Sequence, residues 1–196
     1  MAVEIRPLTG AELAAALGDL ARLRIEVFRA WPYLYDGDPD YEARYLAGYG
    51  ETPNAILVAA LDGGRVVGAS TGLPLAAHRA AEAGGSWPEG APPVGDIFYC
   101  AESVLLPEYR GQGIGHRFFD YREAQAREAG FAWSCFAGVI RPADHPMKPA
   151  AYRPLDPFWR ARGYDPLPGA IERFTWKDVG DSAETKKELQ VWLKKL

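Results

Sequence analysis

Cysteine is scarce: Cys100 and Cys135 are the only two in 196 residues, and they form no CxxC pair and no cluster with the three histidines. A zinc site therefore has no ligand set in the sequence, and no metal is expected. Both cysteines sit in apolar runs, IFYCAES and WSCFAGV, the setting of buried reduced thiols. Long uncharged stretches are also lacking. The longest runs about a dozen residues, as in 129–140, short of the roughly 18 that a membrane-spanning helix needs, so no membrane association is expected. The first ten residues, MAVEIRPLTG, carry Glu4 and Arg6 where a secretory signal requires an apolar core, which leads us to expect a cytoplasmic protein. Nor is there an excess of positive charge. Twenty-two basic residues against 26 acidic ones leave a net charge of −4, and the basic residues do not interleave with aromatics, so no nucleic-acid partner is expected.

What is present is a globular composition, 48% hydrophobic and 24% charged, in a chain without repeats or linkers. It reads as one domain over residues 1–196. Residues 2–8 alternate as an opening strand, and Thr9 to Glu12 has the spacing of a capping box before a helix reaching Phe28. Asp38-Pro39 begins a second helix. Runs 54–61 and 66–73 flank Asp62-Gly63-Gly64-Arg65 as a hairpin, and a long connection follows over 74–93 with a short helical turn at 76–83. A strand over 96–106, a glycine turn, a helix over 113–129 and a strand over 131–139 make a crossover unit. A proline-rich passage, a short helix near 158–162 and a strand over 171–177 follow. The last segment, KKELQVWLKKL, is helical by propensity and strand-like by the spacing of Leu189, Val191 and Leu193.

The strongest signal is the sequence from Ser103 to Gly115, where a strand feeds Gly111, Gly113 and Gly115 and then a helix. Unpaired amides at a helix start, approached closely across glycines, suit an anion such as a diphosphate. The spacing fits neither GxxxxGK[ST] nor GxGxxG. It fits [Arg/Gln]-x-x-Gly-x-[Gly/Ala], as Arg110-Gly111-Gln112-Gly113-Ile114-Gly115, preceded by Leu105-Leu106-Pro107-Glu108-Tyr109. In this motif and in its element order the chain resembles the GNAT-type N-acetyltransferases. That resemblance implies an α/β fold with a mixed central sheet of about seven strands flanked by about four helices, and a closing strand rather than a helix at the end. It also implies acetyl-CoA as co-substrate, its pyrophosphate on Arg110, Gly111, Gln112, Gly113, Ile114 and Gly115, and its pantetheine arm along Val104, Leu105 and Leu106.

The same resemblance directs the search for proton-transfer groups. Glu102, on the motif strand, is the expected general base, with a strand-face salt bridge as its alternative. Val139 occupies the fifth-strand position where some relatives carry an acid, and Trp159 stands where the family carries a tyrosine, so Tyr152 and Tyr164 are the expected acids, with Tyr99, or departure of the thiolate without an acid, as further alternatives. Cys135 as a nucleophile lacks a reason for a lowered pKa. The aromatic and acidic loop 31–38 and the passage after the fifth strand supply Tyr33, Tyr35, Asp36, Asp144 and His145 as candidate contacts for the acceptor, although His145 also suits loop anchoring. His78 and His116 read as structural or solvent-facing. The expected reaction is acetyl transfer from acetyl-CoA to a primary amine, small molecule or peptide, by direct attack in a ternary complex. The alternative is an acyl-CoA-binding regulatory module without catalysis. A homodimer through Val191, Trp192 and Leu193 is a further expectation.

Overall fold

The computed structural model describes residues 3–81 and 85–196. Residue 2 of the expected opening strand and residues 82 and 83 of the expected helical turn lie outside them. The elements run β1 (Glu4–Leu8), α1 (Gly10–Phe28), α2 (Pro39–Leu46), β2 (Ile56–Asp62), β3 (Arg65–Pro74), α3 (Leu75–Ala81), β4 (Ile97–Tyr99), β5 (Ser103–Leu105), α4 (Ile114–Glu128), β6 (Trp133–Val139), α5 (Asp156–Ala161), β7 (Asp165–Lys177) and β8 (Glu184–Lys195). One sheet holds the strands in the order β1-β2-β3-β4-β6-β8-β7, with β5 also paired to β3. The mixed α/β architecture is the expected one. The described residues hold eight strands and five helices, because the strand expected over 96–106 is broken in two and the connection after β3 forms a helix.

Local chemistry explains most boundaries. Leu13, Leu20 and Leu23 form the buried stripe of α1. The expected capping box does not form: Thr9 makes no side-chain cap bond, and both carboxylate oxygens of Glu12 instead accept from Arg6 Nη1 at 3.1 and 3.3 Å. At α2 the Asp38 carboxylate caps as expected, accepting from the Tyr41 amide at 2.7 Å. The β2–β3 hairpin turns on Gly63 and Gly64, both at positive φ, where an L side chain would be strained. The C-terminal segment is strand β8 despite its helical propensity, since it fills the space between β6 and β7 and pairs with both. Tertiary pairing overrides propensity there.

The break between β4 and β5 shapes the molecule. β4 runs parallel to β6 as far as the Tyr99–Cys135 pair, with one further rung from the Cys100 amide to the Cys135 carbonyl at 2.7 Å. Beyond that point β5 pairs with β3 alone, while β6 continues along β8. Residues 100–102 are held at the fork by Thr71, whose amide donates to the Glu102 carbonyl and whose carbonyl accepts from the Ala101 amide, each at 3.1 Å. Two strands of one sheet therefore part, and each leaves a backbone edge facing the other across a gap.

Candidate active site

The gap is a cleft of about 870 Å³. Its walls include Ser103 and Leu105 of β5, residues 136–139 of β6, and Phe158 and Trp159 of α5. Its far end is the start of α4, where Gly111, Gly113, Ile114 and Gly115 line it beside Arg110. Gly111 and Gly113 have φ of 76° and 78°, a left-handed conformation that glycine adopts without strain. The first amides of the α4 turn to find a backbone carbonyl are those of His116 and Arg117, both on the Gly113 carbonyl. The N–H groups of 111–115 precede them at the positive end of the helix dipole, an arrangement that can hold a phosphate. The Arg110 Nε donates to the Leu105 carbonyl at 3.2 Å, tying the turn to β5. Gln112 is exposed and donates to the Glu108 carbonyl at 3.4 Å. Val104 and Leu106 point into the core, so only their backbone is offered to the cleft side. His116 also lines the cleft, edge-on to Phe158.

A second, smaller hollow of about 70 Å³ opens where the strands fork. Phe28, Tyr33, Ala101 and Ala137 line both hollows and so mark their junction. Tyr35, Tyr41, Tyr45, Tyr99 and Trp176 wall the small pocket, and Arg24 and Glu102 form its polar floor. Burial pushes the Tyr33 hydroxyl up to about 12, despite the opposing charge of Arg24. Burial likewise holds Tyr45 well above its ordinary value, reinforced by the Glu102 charge.

Glu102 is buried, with all four of its lone-pair positions taken. Oε1 accepts from Arg24 Nη1 and from the Tyr45 hydroxyl, and Oε2 accepts from the hydroxyls of Tyr49 and Thr71. Arg24 also pairs with Glu42, so one buried cation faces two buried carboxylates. Of the two carboxylates only Glu102 lines the aromatic pocket, beside Arg24. The salt bridge expected as the alternative for Glu102 is present, and Tyr45, which lines the pocket, donates its hydroxyl to the same carboxylate.

The loop bearing Tyr33 and Tyr35 is strapped down by a residue the sequence did not single out. Arg141 donates to the carbonyls of Pro32 and Tyr33 and makes a two-pronged pair with Asp178, which Lys187 also approaches at 3.2 Å. Trp176 Nε1 adds a bond to the Tyr33 carbonyl at 3.2 Å. Among the expected acceptor contacts, Tyr33 and Tyr35 reach the small pocket. Asp36 faces away, paired with Arg29 and Lys177, whose hydrogen bonds hold its carboxyl below the usual range. Asp144 is exposed. His145 packs on Trp31 and accepts the Met147 amide through Nδ1, the loop-anchoring role.

The two expected tyrosine acids separate. Tyr152 lines the cleft, edge-on to Trp31, with its hydroxyl raised by burial. Tyr164 is fully buried behind β6, hydrogen-bonded to Ser134 and Glu123, and does not line the cleft. Its burial explains the difference: the ring packs between Phe119 and Phe136. Cys135 lines neither hollow, and burial pushes its thiol up.

Residues 20–147 match the model of the acetyltransferase (GNAT) family. No curated protein matches the chain in sequence. Among solved structures, a ribosomal-protein-alanine N-acetyltransferase from Brucella melitensis is similar in fold, with a TM-score of 0.62 at 16% identity over 98% of this chain and 99% of that one. A GCN5-related N-acetyltransferase from Kribbella flavida aligns with a TM-score of 0.57 at 18% identity over 100% and 98%. The PaiA N-acetyltransferase from Thermoplasma acidophilum, solved in complex with coenzyme A, aligns with a TM-score of 0.57 at 12% identity over the whole of both chains.

Proposed function

Because the chain belongs to the GNAT family of acetyltransferases, we propose that it moves an acetyl group from acetyl-CoA to a primary amine by direct attack in a ternary complex. The observation that carries this reading is the meeting of two hollows at Phe28, Tyr33, Ala101 and Ala137. The large cleft suits the cofactor: pyrophosphate on the amides of Gly111 to Gly115 with Arg110 beside it, and pantetheine along the free edge of β5 as an added strand. The aromatic pocket suits the acceptor, its ring of aromatic side chains offering an ammonium group cation–π attraction beside the Glu102 carboxylate. Support for direct attack comes from Cys135, whose burial and raised thiol leave no exposed nucleophile there.

An amine attacks only when neutral, and a lysine-like ammonium with pKa of about 10.4 costs about 4.6 kcal/mol to deprotonate at pH 7. Burial in the aromatic pocket lowers that cost. We assign Glu102 the role of receiving the proton through Tyr45, and Tyr152 that of hydrogen-bonding the departing sulfur. Calorimetric titration with acetyl-CoA, followed by thiol release across a panel of amines, tests the proposal. Binding with release for some amines is expected. Binding without release favours the regulatory reading, which Trp159 in the cleft and the saturated Glu102 carboxylate support. No binding removes both.

A further inference from the structure

Arg122 is the largest fully buried side chain among the described residues, 1% exposed, on α4 beneath the fork of β4 and β5. Its Nε donates to the Phe118 carbonyl, and its Nη1 donates to the carbonyls of Thr71 and Glu102, at 3.0 to 3.3 Å. Nη2 is buried and has no partner. None of these acceptors bears a full charge, and the neighbouring carboxylates are engaged elsewhere: Glu102 with Arg24, Glu123 with Arg162 and Lys194. A guanidinium stays protonated in proteins, so among the described residues the core here holds a cation that three carbonyls and the Phe119 ring solvate but no carboxylate pairs, a cost that a bound anion would offset.

Position says what repays it. Arg122 lines the large cleft beside Cys100, Ala101 and Ser103, and it does not line the aromatic pocket. In the reading above, amine enters from the pocket and coenzyme A from the cleft, so the thioester carbon lies at their junction and its sulfur on the Arg122 side. In the transfer the nitrogen lone pair forms the N–C bond and the C–S bond breaks. Its electron pair stays on sulfur, and the proton displaced from nitrogen leaves by the pocket side. The sulfur therefore carries negative charge before any proton reaches it. Trp159 cannot give up a proton at neutral pH, and burial raises the Tyr152 hydroxyl, which makes it a hydrogen-bond donor to the sulfur rather than a ready acid.

We propose that the buried guanidinium of Arg122, which lines the cleft, stabilises the departing thiolate of coenzyme A by its charge, acting as an electrostatic catalyst in place of a proton donor. This inference rests on the acyl-CoA reading of the cleft. An opposite charge within about 4–6 Å lowers an acid's pKa by about 1–3 units. Bound coenzyme A is thus held as thiolate well below the pH at which the free thiol ionises.

Coenzyme A and desulfo-coenzyme A, which lacks the sulfur, separate this role from a structural one. Their affinities for the full-length protein are measured by calorimetry across a pH series, with ultraviolet thiolate absorbance followed on the bound coenzyme. The expected result is a bound thiol titrating about 1–3 units below the free one, so that the preference for coenzyme A over its desulfo analogue grows about tenfold to a thousandfold with rising pH. R122Q is expected to weaken coenzyme A far more than desulfo-coenzyme A, removing the pH-dependent preference, and R122K to restore part of it. If R122Q fails to fold, the wild-type titration decides alone. A bound thiol titrating at or above the free value, or an equal loss of both ligands in R122Q, overturns the inference while sparing the acyl-CoA reading. Failure of both ligands to bind overturns the two together.

Discussion

Arg24 on α1 and Glu102 at the fork of the sheet, 78 residues apart in sequence, form a buried ion pair at the floor of the aromatic pocket. It ties the first helix to the point where the strands part, so the shape of the aromatic pocket and its charge depend on the same contact. In Glu102→Gln one carboxylate oxygen becomes a donor among donors. Breaking a buried pair in this way costs about 3–5 kcal/mol, read by urea unfolding. Turnover is expected to fall by about a hundredfold or more. Acetyl-CoA affinity stays, because Glu102 lines the pocket and not the cleft. Unchanged turnover removes Glu102 from the reaction.

Gly113 sets the entry to α4 at φ 78°, with nothing within 4 Å of where a Cβ would stand. Gly113→Ala therefore meets no clash and pays only for the left-handed backbone, about 1–2 kcal/mol. Gly90, at φ 80° and equally free of neighbours, lies outside both hollows. Thermal unfolding of Gly90→Ala and Gly113→Ala is expected to show similar losses. Calorimetry with acetyl-CoA separates them, since only the variant that disturbs the α4 amides loses affinity.

Much of this arrangement was legible in the sequence, and the parts that were not share a cause. The glycine turn, the capped α2 and the β2–β3 hairpin are local: glycine at positive φ and an Asp before Pro announce themselves within a few residues. The closing strand was not local, since KKELQVWLKKL becomes β8 only because β6 and β7 flank it. The break at residues 100–102 depends on Thr71 and Arg122, which no spacing rule connects to it. Yet Arg24 and Arg122 left a trace. Each sits on the apolar stripe of its helix, four residues after Leu20 and Phe118, and a charge on a buried stripe signals a buried partner or ligand. Arg141 left none, because its partners Pro32, Tyr33 and Asp178 come from distant loops.

His78 stacks on Tyr99 at 4.3 Å between ring centres, 3% exposed, with its Nε2 buried and unpartnered. Burial lowers its pKa from 6.5 to about 4, with the Arg79 charge adding to the effect and Glu102 opposing it. A base whose folded pKa is depressed takes its proton first in the unfolded chain. Its contribution to stability is complete above about pH 6.5 and drains away as pH falls to about 4, some 3 kcal/mol in all. His78→Phe keeps the stack and removes the titration. Urea unfolding from pH 7 to pH 4 is expected to show a flatter stability profile in the variant. Parallel profiles would show that His78 does not titrate in this window.

Asp178 is the hub of the strap over loop 31–36. Burial raises its carboxyl, but the hydrogen bonds and charges of Arg141 and Lys187 outweigh it and hold the group below the usual range. A depressed carboxyl contributes stability that is present above its unfolded value of about 3.9 and lost as pH falls through the folded one. Asp178→Asn leaves Arg141 and Lys187, each 8% exposed, without their shared anion. The expected loss at neutral pH is about 3–5 kcal/mol, together with a flatter acid limb below about pH 4. Tyr33 and Tyr35 ride on the strapped loop, so the Michaelis constant for the amine is expected to rise more than kcat falls. Loss of stability with an unaltered amine constant would show that the loop keeps its place without the Asp178 carboxylate, held by the Trp176 and Arg141 bonds to its carbonyls and by the backbone bonds of Asp36 and Leu34 to residues 177 and 179.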